Sequence, residues 1–350
     1  MSIMSLYVLK FGGSSVANIE RMKHVSNIIA KFIYNGHSVV VVTSAMKGVT
    51  NNLVTTARQI SIDIDREYDA IISTGELVAA GMLARTLQTT GIPAVSLSAS
   101  QIPIYADGSY GNGKVTHIKT SKLLSLVNDG VVPVVTGFQG ITNVGDVITL
   151  GRGGSDATAC ALTYFLDADE CFIYTDVEGV FTADPHIALN AQLIPEISYD
   201  EMLELSFWGA KVLQYQSVEI AKKYNIKVRV LSSFTNGVGT LIQKTTDTPI
   251  FGIAHSSNYN LVTTDTYNTQ FIKVAHNLYL VPKDIEINGD IDVDIGTVTV
   301  VGFKTNMDDV VHNICVPHFV IRRDLSTTYI VQQSKIEHIV NAILDAKTTL

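Results

Sequence analysis

The amino-acid sequence predicts an α/β protein: a three-layer αβα sandwich around a mostly parallel central sheet, followed by a smaller α+β region. Three observations carry that prediction. Short runs such as "LYVLKF" and "SVVVVTSAM" are apolar nearly throughout, as strands buried on both faces are. Between such runs lie stretches with helical apolar spacing, several of them closed by glycine. Near residue 245 the alternation gives way to the polar, proline-ended "QKTTDTP", which reads as a linker.

Each element follows in order. "LYVLKFGG" is a strand ending in a glycine turn, and "IERMKHVSNIIAKFIYNG" is a helix that stops at glycine. "SVVVVTSAM" is the second strand, "GELVAAGMLARTLQTTG" a helix and "PAVSLSA" a strand. "KTSKLLSLVNDG", "VVPVVTGF", "SDATACALTYFLDA" and "ECFIYTDV" continue as helix, strand, helix and strand. "SYDEMLELSFWGAKVL" and "QSVEIAKKYN" read as helices and "KVRVLSSF" as a strand. Beyond the linker, "GTVTVVGF", "MDDVVHNI", "HFVIRRDL", "TTYIVQQ" and "KIEHIVNAILDA" read as strand, helix, strand, strand and helix. The stretch 250–292 has strand-like pieces and no convincing helix.

Bulk properties exclude several classes. The chain has 350 residues, and its net charge of −8 includes no basic concentration that would suit nucleic acid or an anionic membrane. No run of ~18 uncharged apolar residues predicts a transmembrane helix. The N-terminal apolar run is interrupted by Lys10 and lacks a cleavage site, so no signal peptide is expected. Cys160, Cys171 and Cys315 are few and widely spaced, which fits buried thiols in a reducing cytoplasm better than a disulfide or zinc framework.

The chemistry-bearing motifs sit at strand ends, where open α/β sheets bind ligands. "KFGGSS" puts Lys10 at a strand end, then Gly12, Gly13 and Ser14 at the expected opening of a helix, a pattern that holds phosphate. By itself it fits an ordinary turn with a solvated lysine equally well. Neither a Walker A pattern nor a dinucleotide fingerprint occurs there. "TSAMKGVTNNL" is a hydroxyl- and amide-rich loop holding Ser44 and Thr50. Glu76 in "STGE" and Asp156 in "GRGGSD" each open a helix, where a lone carboxylate more often complements the helix dipole. Arg152 has the fork that suits a carboxylate. "YTDVEGVFTADP" places Thr175 and Asp176 at a strand end, and "GAKVL" places Lys211 late in a helix.

Taken in this order, "KFGGSSV", "SAMKGVTN", "STGE", "GFQG", "GRGGSDATA", "TDVEGVFTADP", "SYDEMLELSFWGAKVL" and "VEIAKKYNIKVRVLSSF" resemble the aspartokinases of the amino acid kinase superfamily over about residues 1–245. "GIAHSSN" resembles the entry into that family's regulatory ACT domains. The resemblance implies a catalytic domain over 1–245 with the amino acid kinase fold. It also implies a reduced ACT-like region over 246–350, with a degenerate first module at 250–292 and a second at 293–350. The implied reaction moves the γ-phosphoryl group of MgATP to the side chain of L-aspartate, on the route to lysine, threonine and methionine. Lys10 would steady the transferring group, with backbone donors at Gly12 and Gly13 and with Ser14 beside the nucleotide. Arg152 would clasp the α-carboxylate, Glu76 and Asp156 would receive the ammonium, and Ser44, Thr50 and Ser155 would flank the substrate. Thr175, Asp176, Phe181, Asp184, His186 and Lys211 would take ATP, with Mg²⁺ arriving on the nucleotide and no metal held by the protein alone. A cytoplasmic homodimer joined through the C-terminal region is implied.

The chain departs from the family at His186, where arginine is usual, at Phe181, where tyrosine is usual, and at Gln214-Tyr215, where His-Pro is usual. A histidine largely neutral at pH 7 implies weaker ATP binding than arginine would give. With 101 residues after 249, two full ACT modules of ~70 each do not fit, which implies weak or absent feedback inhibition by lysine or threonine. Two other readings stay open on these residues: another acid or phosphate kinase of the superfamily, and a non-catalytic regulatory homologue.

Overall fold

Strands β1 (Leu6–Phe11), β2 (Ser38–Thr43), β3 (Ala94–Leu97), β4 (Ile104–Ser109), β5 (Asn112–Ile118), β6 (Val132–Thr136), β7 (Gln139–Ile141), β8 (Val147–Thr149) and β9 (Glu170–Thr175) build the first part of the chain. Helices α1 (Ile19–Tyr34), α2 (Val49–Arg58), α3 (Arg66–Ile72), α4 (Thr74–Thr89), α5 (Ser121–Asn128) and α6 (Gly154–Phe165) connect them. The computed structural model describes residues 5–246, 250–266, 268–287, 289–302 and 307–348. The chain divides into two compact units, one of Met1–Val180 with Val212–Lys244, the other of Phe181–Lys211 with Thr245–Leu350.

In the first unit the main sheet runs Thr240–Gln243, Val228–Ser232, β9, β1, β2, β6, β3. Its strands are parallel except for the antiparallel pair Thr240–Gln243 and Val228–Ser232. Valine, leucine and isoleucine fill the central strands because both faces are covered. Leu9, Phe11, Met22, Val25, Ile29, Val41, Leu83, Leu87 and Val134 are wholly buried where α1 and α4 meet the sheet. Truncating one of them, as in Leu83→Ala, costs about 2–5 kcal/mol. Asn18 Oδ1 caps α1 by accepting from Arg21 N–H at 2.9 Å, and Glu20 and Lys31 complement the two ends of its dipole. The span Arg66–Thr89 is long and apolar enough to cross a membrane by length and composition alone, and half of it is buried inside the protein. A second, small sheet of β5-β4-β7-β8 stands beside the strand ends.

Several elements differ from the sequence expectation. "KFGGSS" does not open a helix: residues 12–18 form a turn, and α1 begins only at Ile19. The loop after β2 is short because Val49–Arg58 is helical. The helix of "SYDEMLELSFWGAKVL" ends at Phe207, so Lys211 lies beyond it.

The second unit holds two four-stranded sheets. One contains Phe251–Ser256, Ile295–Gly302, Ser326–Gln332 and Phe319–Arg322, with Asp308–His312 and Ile336–Thr348 as helices. Val298, Val311, Tyr329, Ile339 and Ile343 form its fully buried core. The other contains Ile272–Ala275, Leu278–Pro282, Tyr259–Thr263 and Asp290–Asp292, and no described residue between 257 and 294 is helical. The strand Phe251–Ser256, which opens the 250–292 stretch, pairs outside it, with Ile295–Gly302.

Candidate active site

A cavity of about 770 Å³ opens in the first unit at the carboxyl ends of β1 and β2. Lys10, Ser44, Thr50, Glu76, Arg152, Ser155 and Asp156 all line it. They come from four stretches far apart in sequence, the second supplying Ser44 and Thr50 and the last Arg152, Ser155 and Asp156, brought together because parallel strands deliver their ends to one edge. Lys10 is the next-to-last residue of β1, Ser44 follows β2, Thr50 is in the first turn of α2, Glu76 in that of α4, and Ser155 and Asp156 in that of α6.

Lys10 and Asp156 form an ion pair at 2.5 Å, both nearly buried. A buried pair is worth little net stability, but losing either partner strands the other charge at a cost of about 3–5 kcal/mol. Asp156 therefore faces a cation of the protein itself. Glu76 is 3% exposed, and its Oε1 accepts from Ala45 N–H at 3.0 Å. Its Oε2 has no partner among the described residues. Burial pushes the Glu76 carboxyl up to about 7, against the opposing pull of the Ala45 and Glu76 backbone hydrogen bonds. Arg152 is exposed at the rim. Among the described residues the cavity thus offers the Arg152 guanidinium without an ion-pair partner, a lysine balanced by Asp156 and one buried carboxylate oxygen wanting a donor.

The glycines have separate tasks. A Cβ on Gly13 would lie 2.8 Å from the Ala45 carbonyl oxygen, so only glycine lets the loop pass there. Gly12 N–H donates to the Tyr174 carbonyl at 3.1 Å, extending the sheet, and is not free for an anion as expected from the sequence. Among the described residues no acceptor engages the N–H groups of Gly13 and Ser14. Ser14 Oγ donates to Asp176 at 3.2 Å and Thr175 Oγ1 to the same carboxylate at 3.1 Å, which holds this edge of the sheet together. Phe181, Asp184, His186 and Lys211 belong to the second unit, where Asp184 accepts from His186 N–H at 2.9 Å and lies 3.4 Å from His255 Nε2.

The sequence reading missed other lining residues. Arg58 adds a third cation, and Val54, Ile64, Tyr68, Ile72 and Phe138 form an apolar wall. Arg58 follows Ala57, the buried residue of a helix read as loop, so no periodic signal marked it. Phe138 carries a left-handed φ of 67°, a strained conformation for a bulky residue that holds its ring beneath Gly154. Among the described residues no group of three or more His, Cys, Asp or Glu is placed to hold a metal.

Comparison with known proteins places the chain in a family. The profile of the amino acid kinase family matches residues 5–232. An aspartate kinase of Pseudomonas fluorescens is 48% identical over 242 residues, covering 68% of this chain and 59% of that one. The chain thus spans well under two thirds of that relative's length. An aspartokinase of Rickettsia felis is 44% identical over 282 residues, covering 78% and 70%. The crystal structure of E. coli aspartokinase III in complex with aspartate and ADP matches with a TM-score of 0.81 over 97% of this chain and 99% of that one. Its 21% identity speaks for the fold alone. A family profile across most of the first unit, and a close relative matched over more than two thirds of its length, lead to one conclusion: the chain belongs to the amino acid kinase family, among its aspartokinases.

Proposed function

We propose that the protein is an aspartate kinase, moving the γ-phosphoryl group of MgATP to the side-chain carboxylate of L-aspartate to give 4-phospho-L-aspartate and ADP. One observation carries the reading. The cavity sets the Arg152 guanidinium against the buried Oε2 of Glu76, unpartnered among the described residues, a complement for an amino acid's carboxylate and ammonium. Aspartate is further supported by the relatives, which are named aspartate kinases.

In this reading Arg152 clasps the α-carboxylate and Glu76 takes the ammonium. Ser44, Thr50 and Ser155 hydrogen-bond around the substrate. Asp156 holds Lys10 charged and oriented, which narrows the ammonium role the resemblance gave it. The nucleophile is a carboxylate oxygen already ionised at neutral pH, so no general base is required. It forms the new O–P bond while the bond from Pγ to the bridging oxygen breaks and ADP leaves with the electron pair. Catalysis is then positioning and charge neutralisation. Lys10 Nζ and the N–H groups of Gly13 and Ser14 are the donors for the transferring group. Mg²⁺, carried by the nucleotide, would supply charge neutralisation at its phosphate oxygens. We place the enzyme in the cytoplasm, as a homodimer joined through the second unit.

The test is aspartyl hydroxamate formation from purified protein, MgATP, L-aspartate and hydroxylamine. Wild-type protein should give product, and Lys10→Ala should lower kcat by at least about 100-fold, the usual scale for losing one transition-state donor. No product from well-folded wild type would end the proposal.

A further inference from the structure

Asp69, on α3, has no exposed surface and does not itself line the cavity. Its carboxylate accepts three hydrogen bonds. Oδ2 takes Gly111 N–H at 2.9 Å and Thr149 N–H at 2.7 Å, and Oδ1 takes Thr149 Oγ1 at 2.8 Å. The donors lie 42 and 80 residues away in sequence. Gly111 is in the turn between β4 and β5, and Thr149 ends β8.

Both donors line the cavity, as do Tyr68 and Ile72 on the same helix as Asp69. Thr149 leads through Leu150 into Gly151 and Arg152. Gly151 has a left-handed φ of 71°, and a Cβ there would lie 3.1 Å from the Gly111 carbonyl. Arg152 therefore leaves a backbone whose direction is set where the hairpin turn and the end of β8 are tied to α3. Burial pushes the Asp69 carboxyl up while the three donors pull it down. An apolar residue would remove that cost but leave the three donors without their acceptor.

We propose that Asp69 is a positioning residue for Arg152, fixing the hairpin turn and the β8 end so that the guanidinium meets the substrate's carboxylate. This rests on the aspartate kinase reading for its substrate, though not for the tether. Asp69 touches no reacting atom, so it acts on substrate affinity more than on the chemical step.

Two variants test it. Asp69→Asn keeps the shape: the amide oxygen accepts from Gly111 and Thr149 N–H, and the amide nitrogen donates to Thr149 Oγ1. Asp69→Ala removes every acceptor. Hydrogen–deuterium exchange on the whole chain reads the tether directly, because the Gly111 and Thr149 amides are themselves the donors. Exchange there should rise at least about tenfold in Asp69→Ala and return toward wild type in Asp69→Asn. Steady-state kinetics should give a KM for aspartate raised by about tenfold or more in Asp69→Ala. The ATP KM and kcat should stay within about twofold, and Asp69→Asn should restore the aspartate KM. Unchanged exchange at Gly111 and Thr149 would overturn the tether. So would an Asp69→Ala enzyme whose kcat and both KM values worsen together in step with its melting temperature. A wild type that binds no aspartate but keeps the exchange result would count against the activity and leave the tether standing.

Discussion

Glu76 concentrates the site's pH dependence in a single carboxyl. Burial raises it from an ordinary 4.5 to about 7. A carboxyl raised in the folded state loses stability as pH climbs, because the unfolded chain ionises near 4.5 while the folded one resists until about 7. That loss is complete above pH 7 and amounts to about 3 kcal/mol for a shift of this size. Glu76→Gln should therefore be more stable than wild type at pH 8 and no more stable at pH 4, read by chemical denaturation at both. Function runs the other way. The ammonium of a substrate needs Glu76 ionised, and at pH 6 only about a tenth of the empty sites are. The wild-type KM for aspartate should fall about tenfold from pH 6 to pH 8. That of Glu76→Gln should be high throughout and nearly flat. A flat wild-type profile would remove Glu76 from ammonium recognition.

At the scale of elements, the start of α6 depends on what packs against it. Gly153 is its N-cap residue, with a left-handed φ of 72° and no side-chain cap. A Cβ there would sit 2.4 Å from Cβ and Cγ of Gln214, the residue just before the helix Tyr215–Tyr224. Gly153→Ala combines backbone strain with a collision and should cost about 2–4 kcal/mol while raising the KM for aspartate through the adjacent Arg152. Gln214→Gly, which removes both Cβ and Cγ, should cost about 1 kcal/mol or less alone at this N-cap position and recover the collision part in the double variant, leaving about 1 kcal/mol of φ strain. Additive losses in this double-mutant cycle would mean that the two residues do not press on one another. The same scale explains what the sequence made legible. Parallel strands buried over most of their length announce themselves as nearly apolar runs, so β1, β2, β6 and β9 could be read directly. The hairpin of β4 and β5 could not, because "DGSYGNGK" is polar and glycine-rich and its strands are half exposed. Helix α2 hid behind threonines and asparagines, with Ala57 its one fully buried residue. Lys10, Glu76, Arg152 and Asp156 could be found because charged groups at strand ends and helix starts are conspicuous. Asp69 could not, since its partners are far off in sequence and its helix reads as plain amphipathic chain.

For the whole molecule the open matter is regulation, and the architecture of the second unit bears on it. An effector shifts an enzyme only as far as it binds one state better than another, and that requires a site enclosed enough to take an amino acid out of water. The sheet containing Phe251–Ser256 has two helices and a buried core of its own. The sheet of Tyr259–Thr263, Ile272–Ala275, Leu278–Pro282 and Asp290–Asp292 has neither helix cover among the described residues nor more than a small core of Val262, Phe271, Tyr279 and Val281. Its strand Asp290–Asp292 is exposed along its length. One wall alone leaves a zwitterion hydrated, and among its described residues this sheet encloses no site for an amino-acid effector. Lysine or threonine at about 5 mM, tested separately and together at subsaturating aspartate, should lower the rate by less than about twofold, a coupling below about 0.4 kcal/mol. Steep inhibition by either amino acid, relieved by raising aspartate, would show that a competent effector site exists in this unit despite the uncovered sheet.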